Sequence, residues 1–412
     1  MTLLNVGHNY HVFGGSDQYM LFLGEMLEAR GHRVIPLAAR DPKNRPTPWA
    51  ELFPPRVETK DPSASDLARF VFSPEARRAV REVLRRAEID LAHLHIYYGQ
   101  LTSAILEPLR SAGVPIVQTL HEYKLLCPVY SMISNGEVCE ACGGHAFYRA
   151  LPRRCNRGSV VRTAVNVAEA YVSRWLGDVR KVDHFFASSD FLRDKMIEHG
   201  VGAEKVSTLN NFVEVDRFEP APEPGGPFVF FGRIERLKGV FTLARAAAAV
   251  PGTEVILAGT GWADAELRAF VEREGLTNVR LVGFQRGDAL RDLIRGSRAC
   301  VVPSEWYENC SLAILESMAY AKPVITTSMG GSPELVRHGE TGLVVPPADA
   351  DALGAAMATL EAQPAEARRM GLAGRERIER EYAPSVHYAR LMELYERVLG
   401  HPVPPPAGQA VG

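Results

Sequence analysis

Short apolar runs alternate with longer amphipathic stretches along most of the chain. In the first half the runs are TLLNV, RVIPL, DLAHLH, PIVQT, DHFFAS and KVSTL, with helical patterns such as 18–30 and 191–199 between them. In the second half FVFF, TEVILAG, VRLVG and ACVVP are separated by helical patterns at 240–250, 263–274 and 288–296. Strands and helices in this order predict parallel sheets with crossover helices.

The alternation is interrupted once, by the run EPAPEPGGP at 219–227. Proline and glycine at this density indicate a linker, and 412 residues are more than a single core usually fills. We therefore predict an α/β protein of two Rossmann-like domains that face each other across a cleft. The predicted segments are a first domain at 1–218 with a cysteine-containing insertion at about 124–160, a linker at 219–227, a second domain at 228–383, a helix at 384–400 that packs back on the first domain, and a flexible tail at 401–412.

The composition of the chain argues against two classes of protein, nucleic-acid-binding proteins and proteins with a membrane-spanning helix. Charged residues make up 23% of the chain and the net charge is −2, which argues against a nucleic-acid-binding protein because such proteins carry a basic excess. No apolar run is long enough for a membrane-spanning helix, and the start MTLLNVGHNY lacks the pattern of a signal peptide. We therefore expect a cytoplasmic location.

The stretch 304–346 contains two carboxylates around the start of a predicted helix. Glu308 lies in a loop after the apolar run ACVVP, and Glu316 follows eight residues later within LAILESMAYA. A loop before a helix presents unpaired amides that suit phosphate, whereas a carboxylate suits sugar hydroxyls because it accepts two hydrogen bonds at once. By spacing alone, it is an equally good interpretation that Glu308 is a loop charge and that Glu316 lies on a solvated helix face.

Glycines follow several of the predicted strands. In GRIERLKG, Arg233 and Lys238 stand five residues apart on a turn, which suits a diphosphate because arginine binds two oxygens side by side and lysine adds a point charge. An exposed basic turn is the alternative. Ligands of such sheets lie at the carboxyl ends of the strands. The other residues at predicted strand ends are Gly14, Gly15, Gly259, Gly261, Gly283 and Phe284.

Together these motifs resemble the retaining glycosyltransferases of family 4, which have the GT-B fold. The resemblance covers about 3–399, and its most specific part is ENCSLAILESMAYAKPVI followed by GGSPELVRHGETGLVVP. GRIERLKG, LAGTG and VGF stand in the order that the family shows.

The resemblance implies transfer of a sugar, with retention of configuration, from a nucleoside-diphosphate donor to a glycan or lipid-linked acceptor, without a metal or other cofactor in catalysis. It implies that Arg233 and Lys238 neutralise the diphosphate, that Glu316 binds the ribose, that Glu308 positions the donor sugar, and that His121 lies near that sugar. The remaining donor-binding positions it implies are Gly14, Gly15, Gly259, Gly261, Gly283, Phe284, Asn309, Cys310, Ser311 and Leu312.

Three alternatives accompany this hypothesis. A nucleotide-sugar 2-epimerase shares the fold, but it would not be expected to combine GRIERLKG with the two glutamates. A non-catalytic sugar-nucleotide-binding protein is the second alternative. The presence of the whole group of candidate residues argues against it; these are His121, Arg233, Lys238, Glu308 and Glu316. For His121, in TLHEY at a strand end, the alternative is a structural histidine with its hydrogen bonds satisfied.

Four cysteines are grouped after His121 and follow a spacing with a central CxxC. They are Cys127, Cys139, Cys142 and Cys155. In a reducing compartment this spacing is typical of a structural zinc site, and unliganded thiols are the main alternative. An iron–sulfur cluster is less favoured, and disulfides would need an oxidising compartment.

The segment 149–181 contains eight Lys or Arg residues and two acidic residues, with aromatic residues such as Tyr148, Tyr171 and Trp175 in or beside it. Such a segment can dock on anionic lipid head groups, which would make the protein peripheral at the inner face of the cytoplasmic membrane. A solvated basic helix is the alternative.

Overall fold

The computed structural model describes residues 1–403, and these form two compact units. The first unit comprises Met1–Asn135, Cys139–Leu209 and the C-terminal residues from Tyr388, and the second comprises Gly136–Val138 and Asn210–His387. The division between Leu209 and Asn210 precedes the segment 219–227 that the sequence indicated as a linker. Most of the tail predicted at 401–412 lies outside the described residues.

The strands are short and mostly buried on both faces, as expected of parallel sheets covered by helices. They are β1 Thr2–Val6, β2 Arg33–Leu37, β3 Leu91–Leu94, β4 Ile116–Leu120, β5 Ile133–Ser134, β6 Glu137–Val138, β7 His184–Ala187, β8 Val206–Thr208, β9 Phe228–Phe231, β10 Val255–Ala258, β11 Val279–Gly283, β12 Ala299–Val302, β13 Val324–Thr327 and β14 Gly342–Val345.

Helices connect the strands of each unit. They are α1 Gly15–Glu28, α2 Ala64–Val71, α3 Pro74–Arg86, α4 Leu106–Ser111, α5 Ala150–Arg153, α6 Val160–Leu176, α7 Asp190–Glu198, α8 Val240–Ala246, α9 Asp264–Arg273, α10 Gly287–Arg295, α11 Leu312–Ala319, α12 Ser332–Leu335, α13 Ala350–Ala362, α14 Pro364–Glu381 and α15 Pro384–Leu399. In the described part of the chain, none of them is long and apolar enough to cross a membrane.

Each unit contains a six-stranded sheet in which every neighbouring pair of strands is parallel. The strand order is β2-β1-β3-β4-β7-β8 in the first unit and β11-β10-β9-β12-β13-β14 in the second. This confirms the prediction of two parallel-sheet domains. The chain changes direction across the sheet between β1 and β3 in one unit and between β9 and β12 in the other. Sheets of this kind bind ligands beyond the carboxyl ends of the strands at such switch points.

The C-terminal helix α15 contributes buried side chains to the first unit. The hydroxyl of Tyr395 lies 2.5 Å from His93 Nδ1, and Tyr395 is fully buried. The hydroxyl of Tyr388 lies 2.8 Å from His32 Nε2. Buried hydroxyls that reach a partner side chain make this packing specific, because an unpaired polar group would cost free energy.

Helix α1 begins three residues before the predicted start at Gln18, and its own sequence explains the difference. Asp17 accepts hydrogen bonds from the amides of Phe13 and Gly14 at 3.3 and 3.1 Å. A carboxylate that accepts amides at a helix start satisfies donors that the helix leaves unpaired. The helices α2, α3, α13 and α14 were not predicted.

Candidate active site

Two loops leave the second sheet at its switch point. The turn GRIERLKG follows β9, and the loop that contains Glu308 follows the neighbouring strand β12. Gly239, at φ +70°, lets them pack together, because a Cβ there would lie 1.8 Å from the carbonyl oxygen of Pro303. Only glycine combines this φ with so close an approach to backbone. The sequence thus brings Lys238, just before Gly239, to the loop after β12.

The carboxylate of Glu308 is held by three donors at one of its oxygens. Oε1 accepts from Lys238 Nζ at 2.5 Å, from Ser304 Oγ at 2.7 Å and from Trp306 Nε1 at 2.9 Å. Lys238 Nζ also lies 4.9 Å from the centroid of the Trp306 ring, within the range of a cation–π contact. Within residues 1–403, Oε2 of Glu308 accepts no hydrogen bond, so the carboxylate is fixed by one oxygen and can offer the other to a ligand.

This network decides the charge of Glu308, which is only 7% exposed. Burial acts to raise its pKa, but the charge of Lys238 and the hydrogen bonds from Lys238, Ser304 and Trp306 outweigh burial and hold the pKa below its ordinary value. Glu308 is therefore an anion at neutral pH. An anion that is hydrogen-bonded and paired with lysine is a weak base and a weak nucleophile, but a good acceptor for a hydroxyl group.

The glycine pair Gly330 and Gly331 supports Glu308 from its backbone side. The amide of Gly331 donates to the carbonyl of Glu308 at 2.6 Å. Gly330 has φ +60°, and a Cβ there would lie 2.2 Å from the same carbonyl oxygen. The segment GGSPE therefore packs directly against the loop that contains Glu308, in a way that a larger residue at position 330 would prevent.

Arg233 lies apart from this network. Its side chain is 66% exposed and pairs with Glu235 at 2.9 Å, whereas Lys238 is largely buried. The two cations predicted to act on one diphosphate are therefore not equivalent in the unliganded chain. Lys238 is held in place, while Arg233 would have to exchange Glu235 for a ligand.

Gly259 and Gly261, after β10, have a structural role of their own. A Cβ at Gly259 would lie 1.7 Å from the carbonyl oxygen of Gly232, and one at Gly261 would lie 2.2 Å from that of Ile234. These glycines therefore allow the loops after β9 and β10 to touch, with or without a ligand. By contrast, a Cβ at Gly283 would meet nothing within 4 Å, and Phe284 beside it is exposed.

The segment from Asn309 leads into helix α11. Ser311 precedes the first helical residue, Leu312, and its side chain does not cap the helix. Cys310 is buried, burial raises the pKa of its thiol to about 12, and its carbonyl accepts from Asn211 Nδ2 at 3.2 Å. Cys310 is thus a neutral packing residue, and the contribution of this segment to binding would come from the first-turn amides of α11.

Glu316 projects from α11 and is partly buried. Over residues 1–403 its carboxylate accepts no hydrogen bond and forms no ion pair, and burial raises its pKa to about 7. A carboxylate in this state is destabilising when it is ionised and unliganded. Paired hydroxyl groups of a ligand would remove that cost, which fits the ribose role implied by the resemblance.

Replacing Glu316 with glutamine is expected to stabilise the unliganded protein at about pH 8 by roughly 1–3 kcal/mol. The pKa is raised in the folded state, so the folded chain binds more protons and wild-type stability falls as pH rises from about 4.5 through about 7. The variant should lose this pH dependence in denaturant unfolding. An equal stability difference at about pH 4 and about pH 8 would contradict the assignment.

In the first unit, histidines gather at the carboxyl ends of neighbouring strands. His95 follows β3, His121 follows β4, and Asn5 lies in β1. His95 Nδ1 lies 3.1 Å from His121 Nε2, and His95 Nε2 lies 2.9 Å from Asn5 Oδ1. The amide of Asn5 is oriented by a second bond, from its Nδ2 to the carbonyl of Met20 at 3.1 Å.

These bonds determine where the protons of the two neutral imidazoles lie. Because Asn5 presents its oxygen, His95 must donate from Nε2 and accept at Nδ1. His121 must then donate from Nε2 to His95, which leaves the lone pair of His121 on Nδ1. Burial lowers the pKa of His121 to about 3 and that of His95 well below its ordinary value, so both rings stay neutral at physiological pH.

We expect His121 to be observed as the neutral Nε2–H tautomer from about pH 5 to about pH 8. Nitrogen-15 chemical shifts of histidine-labelled protein would show this, with His121→Asn used to assign the signal. A protonated Nδ1, or a ring that titrates within that range, would refute the hydrogen-bond order from Asn5 to His121.

Gly14 and Gly15 lie at the start of α1. The amide of Gly14 is occupied by the carboxylate of Asp17, while a Cβ at Gly14 would meet nothing within 4 Å. Asn9 Nδ2 donates to the other oxygen of Asp17 at 3.2 Å. Asp17 therefore caps the start of α1, and the approach of Gly14 and Gly15 to a diphosphate stays a prediction.

The four grouped cysteines lie near one another, and the thiol of Cys142 interacts electrostatically with the other three. In the described chain, no group of three or more His, Cys, Asp or Glu side chains is placed to hold a metal ion. Burial raises the pKa of Cys127 and Cys155, and raises that of Cys142 to about 12, so these thiols are protonated when no metal ion is bound. Cys142 packs in an apolar cluster with Phe147 and Val167. Zinc at these four cysteines therefore stays a prediction from their spacing.

The sequence did not identify Ser304, Trp306, Asn5 or His95 as parts of these networks. A signal was present for two of them, because Ser304 and Trp306 lie four and two residues before Glu308 in SEWYE, where short-range side-chain bonds are easily made. No local pattern linked Asn5 to His95, since 90 residues separate them and only the pairing of β1 with β3 joins them.

Comparisons with known proteins agree with this architecture. A family model described as Glycosyltransferase Family 4 matches residues 13–217, and one described as Glycosyl transferases group 1 matches residues 213–377. The chain is 27% identical over 397 residues to a glycogen synthase of Mycobacterium tuberculosis, covering 92% of this chain and 90% of the relative. It is 25% identical over 406 residues to a phosphatidyl-myo-inositol mannosyltransferase of Mycobacterium leprae, covering 95% of both.

Among solved structures, HepE of Anabaena in complex with UDP aligns with a TM-score of 0.68 at 19% identity, covering 96% of this chain and 100% of HepE. This likeness shows a shared fold. The relatives are transferases, and they do not support the epimerase alternative.

Proposed function

Since this chain belongs to the GT-B glycosyltransferases, with a family 4 domain followed by a group 1 domain, we propose that it transfers a sugar with retention of configuration from a nucleoside-diphosphate donor. The proposed acceptor is a glycan or a lipid-linked glycan in the assembly of a cell-surface polysaccharide or glycoconjugate. The observation that carries the proposal is the Glu308 carboxylate, which is fixed at Oε1 and available at Oε2 beside a largely buried lysine.

Glu308 is proposed to position the donor sugar. Its low pKa and its three hydrogen bonds make attack on the sugar unfavourable, whereas Oε2 is oriented to accept from a sugar hydroxyl. Retaining hydrolases that use a covalent intermediate need a second carboxylate as acid and base. A path in which the leaving phosphate helps to deprotonate the acceptor requires no such carboxylate, and we favour it here.

Lys238 and Arg233 are proposed to bind the diphosphate. Lys238 Nζ donates one of its three hydrogens to Glu308, which leaves two for phosphate oxygens. Arg233 would add a bidentate contact after releasing Glu235. Together with the amides at the start of α11, these cations would stabilise the charge of the departing nucleotide, so no divalent ion is needed in the proposal.

Glu316 is proposed to accept from the ribose hydroxyls, and the backbone near Gly283 and Phe284 is proposed to meet the base. His121 is proposed to contact the transferred sugar as a neutral ring. This role is compatible with the bonds to His95 and Asn5, which determine its tautomer.

The test is product analysis with the purified full chain. UDP-, GDP- and ADP-sugars would be offered with a panel of glycan and lipid-linked acceptors, and UDP-sugars come first because a solved structure of the same fold contains UDP. We expect nucleotide release that depends on the acceptor, and the anomeric coupling in the product should match that of the donor. Binding of every donor without transfer would favour a non-catalytic sugar-nucleotide-binding protein.

We also propose a cytoplasmic location with peripheral contact at the inner membrane face. The support is the basic segment 149–181 identified in the sequence, which has exposed apolar and arginine side chains on its surface.

A further inference from the structure

Four of the six buried residues of helix α6 are polar, whereas its exposed residues are apolar, which is unusual for a surface helix. Its buried side includes Thr163, Asn166, Glu169 and Ser173. The other two buried residues, Val167 and Ala170, pack in an apolar cluster. Glu169 is fully buried, pairs with Lys124 Nζ at 2.5 Å and accepts from Ser173 Oγ at 2.8 Å. The polar inner side is therefore satisfied by partners within the first unit and does not require solvent.

The outer side of α6 is a continuous apolar stripe. Its residues recur every three or four positions, so they share one face of the helix. They are Val161, Ala164, Ala168, Tyr171 and Trp175, and all five are exposed. Val161 is 64% exposed and Trp175 is 77% exposed. A large indole and a β-branched side chain are therefore exposed to water on this face.

Arginines that lack an acidic partner among the described residues lie near the stripe in sequence. Five exposed arginines lie in or beside α5 and α6 and, among residues 1–403, none of them forms an ion pair. They are Arg149, Arg153, Arg154, Arg157 and Arg180. The two acids of the segment, Glu169 and Asp178, are buried, so they do not neutralise this surface. The net charge of the whole chain is −2, so this excess of positive charge is confined to one part of the surface.

We propose that the outer stripe of α6, together with these arginines, docks on an anionic lipid bilayer. Trp175 and Val161 would enter the boundary between head groups and acyl chains, and the arginines would contact phosphates. The positive charge of this face favours an anionic bilayer over a second copy of the chain. Two copies joined through this face would bring ten unpaired arginines together. Tryptophan beside arginine is also the combination that favours a membrane interface.

This docking surface would bring the protein to a lipid-linked acceptor, and in that respect the inference rests on the proposed function. The binding itself does not depend on transfer. A soluble acceptor therefore separates the two proposals, since transfer to it would continue if the chain never met a membrane.

The test is co-sedimentation of the full chain with vesicles. Vesicles of phosphatidylcholine with about 30% phosphatidylglycerol would be compared with pure phosphatidylcholine, at about 0.1 M and about 0.5 M salt. We expect binding to the anionic vesicles only, weakened by the higher salt. Trp175→Ser with Val161→Ser, and separately Arg153→Gln, Arg154→Gln and Arg157→Gln together, should each weaken it at least about tenfold.

Matched controls come from exposed residues elsewhere. Arg78→Gln, Arg81→Gln and Arg85→Gln on α3 remove the same charge from the same unit, and Trp262→Ser removes an exposed indole from the other unit. Thermal unfolding would verify that each variant folds. Absence of binding to anionic vesicles, or equal losses in the controls, would overturn the inference, as would an acidic protein that binds this face while vesicles do not.

Discussion

Lys238→Met is expected to give the largest loss of both donor binding and stability. The variant removes the cation beside a carboxylate that is only 7% exposed, and breaking a buried pair on one side costs about 3–5 kcal/mol. Affinity for UDP, or for whichever nucleotide proves to be the substrate, should fall at least about 100-fold, because a desolvated cation at a diphosphate has no replacement nearby. Calorimetric titration and chemical unfolding would measure the two effects.

The pH dependence of the Lys238 variant identifies the cause. In the wild type the pKa of Glu308 lies below its ordinary value, so the contribution of the pair is present above the unfolded pKa and is lost as pH falls through the folded pKa. Without Lys238, burial would dominate and raise the pKa of Glu308. The destabilisation should then be largest at about pH 8 and shrink towards about pH 5 as Glu308 becomes protonated.

Arg236→Met is the matched control for Lys238→Met. Arg236 belongs to the same turn, but it is exposed and pairs with Glu266, which is exposed as well. Exposed pairs contribute about 0–1 kcal/mol, so its loss should leave nucleotide affinity and unfolding nearly unchanged. If Lys238→Met behaved like Arg236→Met, the buried pair would not be the centre of the donor site.

Glu308→Gln is expected to lower transfer at least about 100-fold while nucleotide affinity changes less than about fivefold. Glutamine keeps the size of the side chain and can still accept from Ser304 and Trp306. It removes the negative charge that would hold a sugar hydroxyl and that pairs with Lys238. The expected pattern is a lower kcat with a nearly constant dissociation constant for the free nucleotide, measured by steady-state kinetics and calorimetry.

Glu305→Gln is the control for Glu308→Gln. Glu305 lies three residues earlier in the same loop and accepts from Thr242 Oγ1 at 2.5 Å, away from the lysine. It should retain most of the transfer activity. A Glu308→Gln variant that lost nucleotide binding and transfer in parallel would indicate that Glu308 serves the diphosphate through Lys238 and does not position the sugar.

Much of the fold could be predicted from local pattern. Apolar runs of four or five residues, such as FVFF and ACVV, can be buried on both faces only in a covered parallel sheet, and their alternation with amphipathic stretches indicated two such sheets. The helix α14 was missed because its apolar positions are diluted by arginine and glutamate, and because Arg377, one of those polar residues, is buried and donates to the carbonyls of Glu334 and Leu335.

By itself, the sequence determined which chemical groups stand at the strand ends. Glycines, Lys238, Glu308 and His121 each follow an apolar run, and the order of the motifs indicated the family. These are local properties, because a strand and the loop after it are adjacent in the chain. The sequence also showed the surplus of arginine in 149–181, although it could not show on which side of α6 the apolar residues lie.

The tertiary structure decided how those groups are paired. Lys238 meets Glu308 only because β9 and β12 are neighbours and Gly239 lets their loops touch, so 70 residues of chain separate the partners of the central ion pair. The tautomer of His121 likewise depends on β1, β3 and β4 lying side by side. The cysteine spacing likewise predicts zinc only if the fold brings the four thiols together, because geometry and not spacing defines a metal site. Local sequence determines which functional groups stand at the strand ends. Strand order determines which of these groups come into contact, because it is a property of the whole sheet.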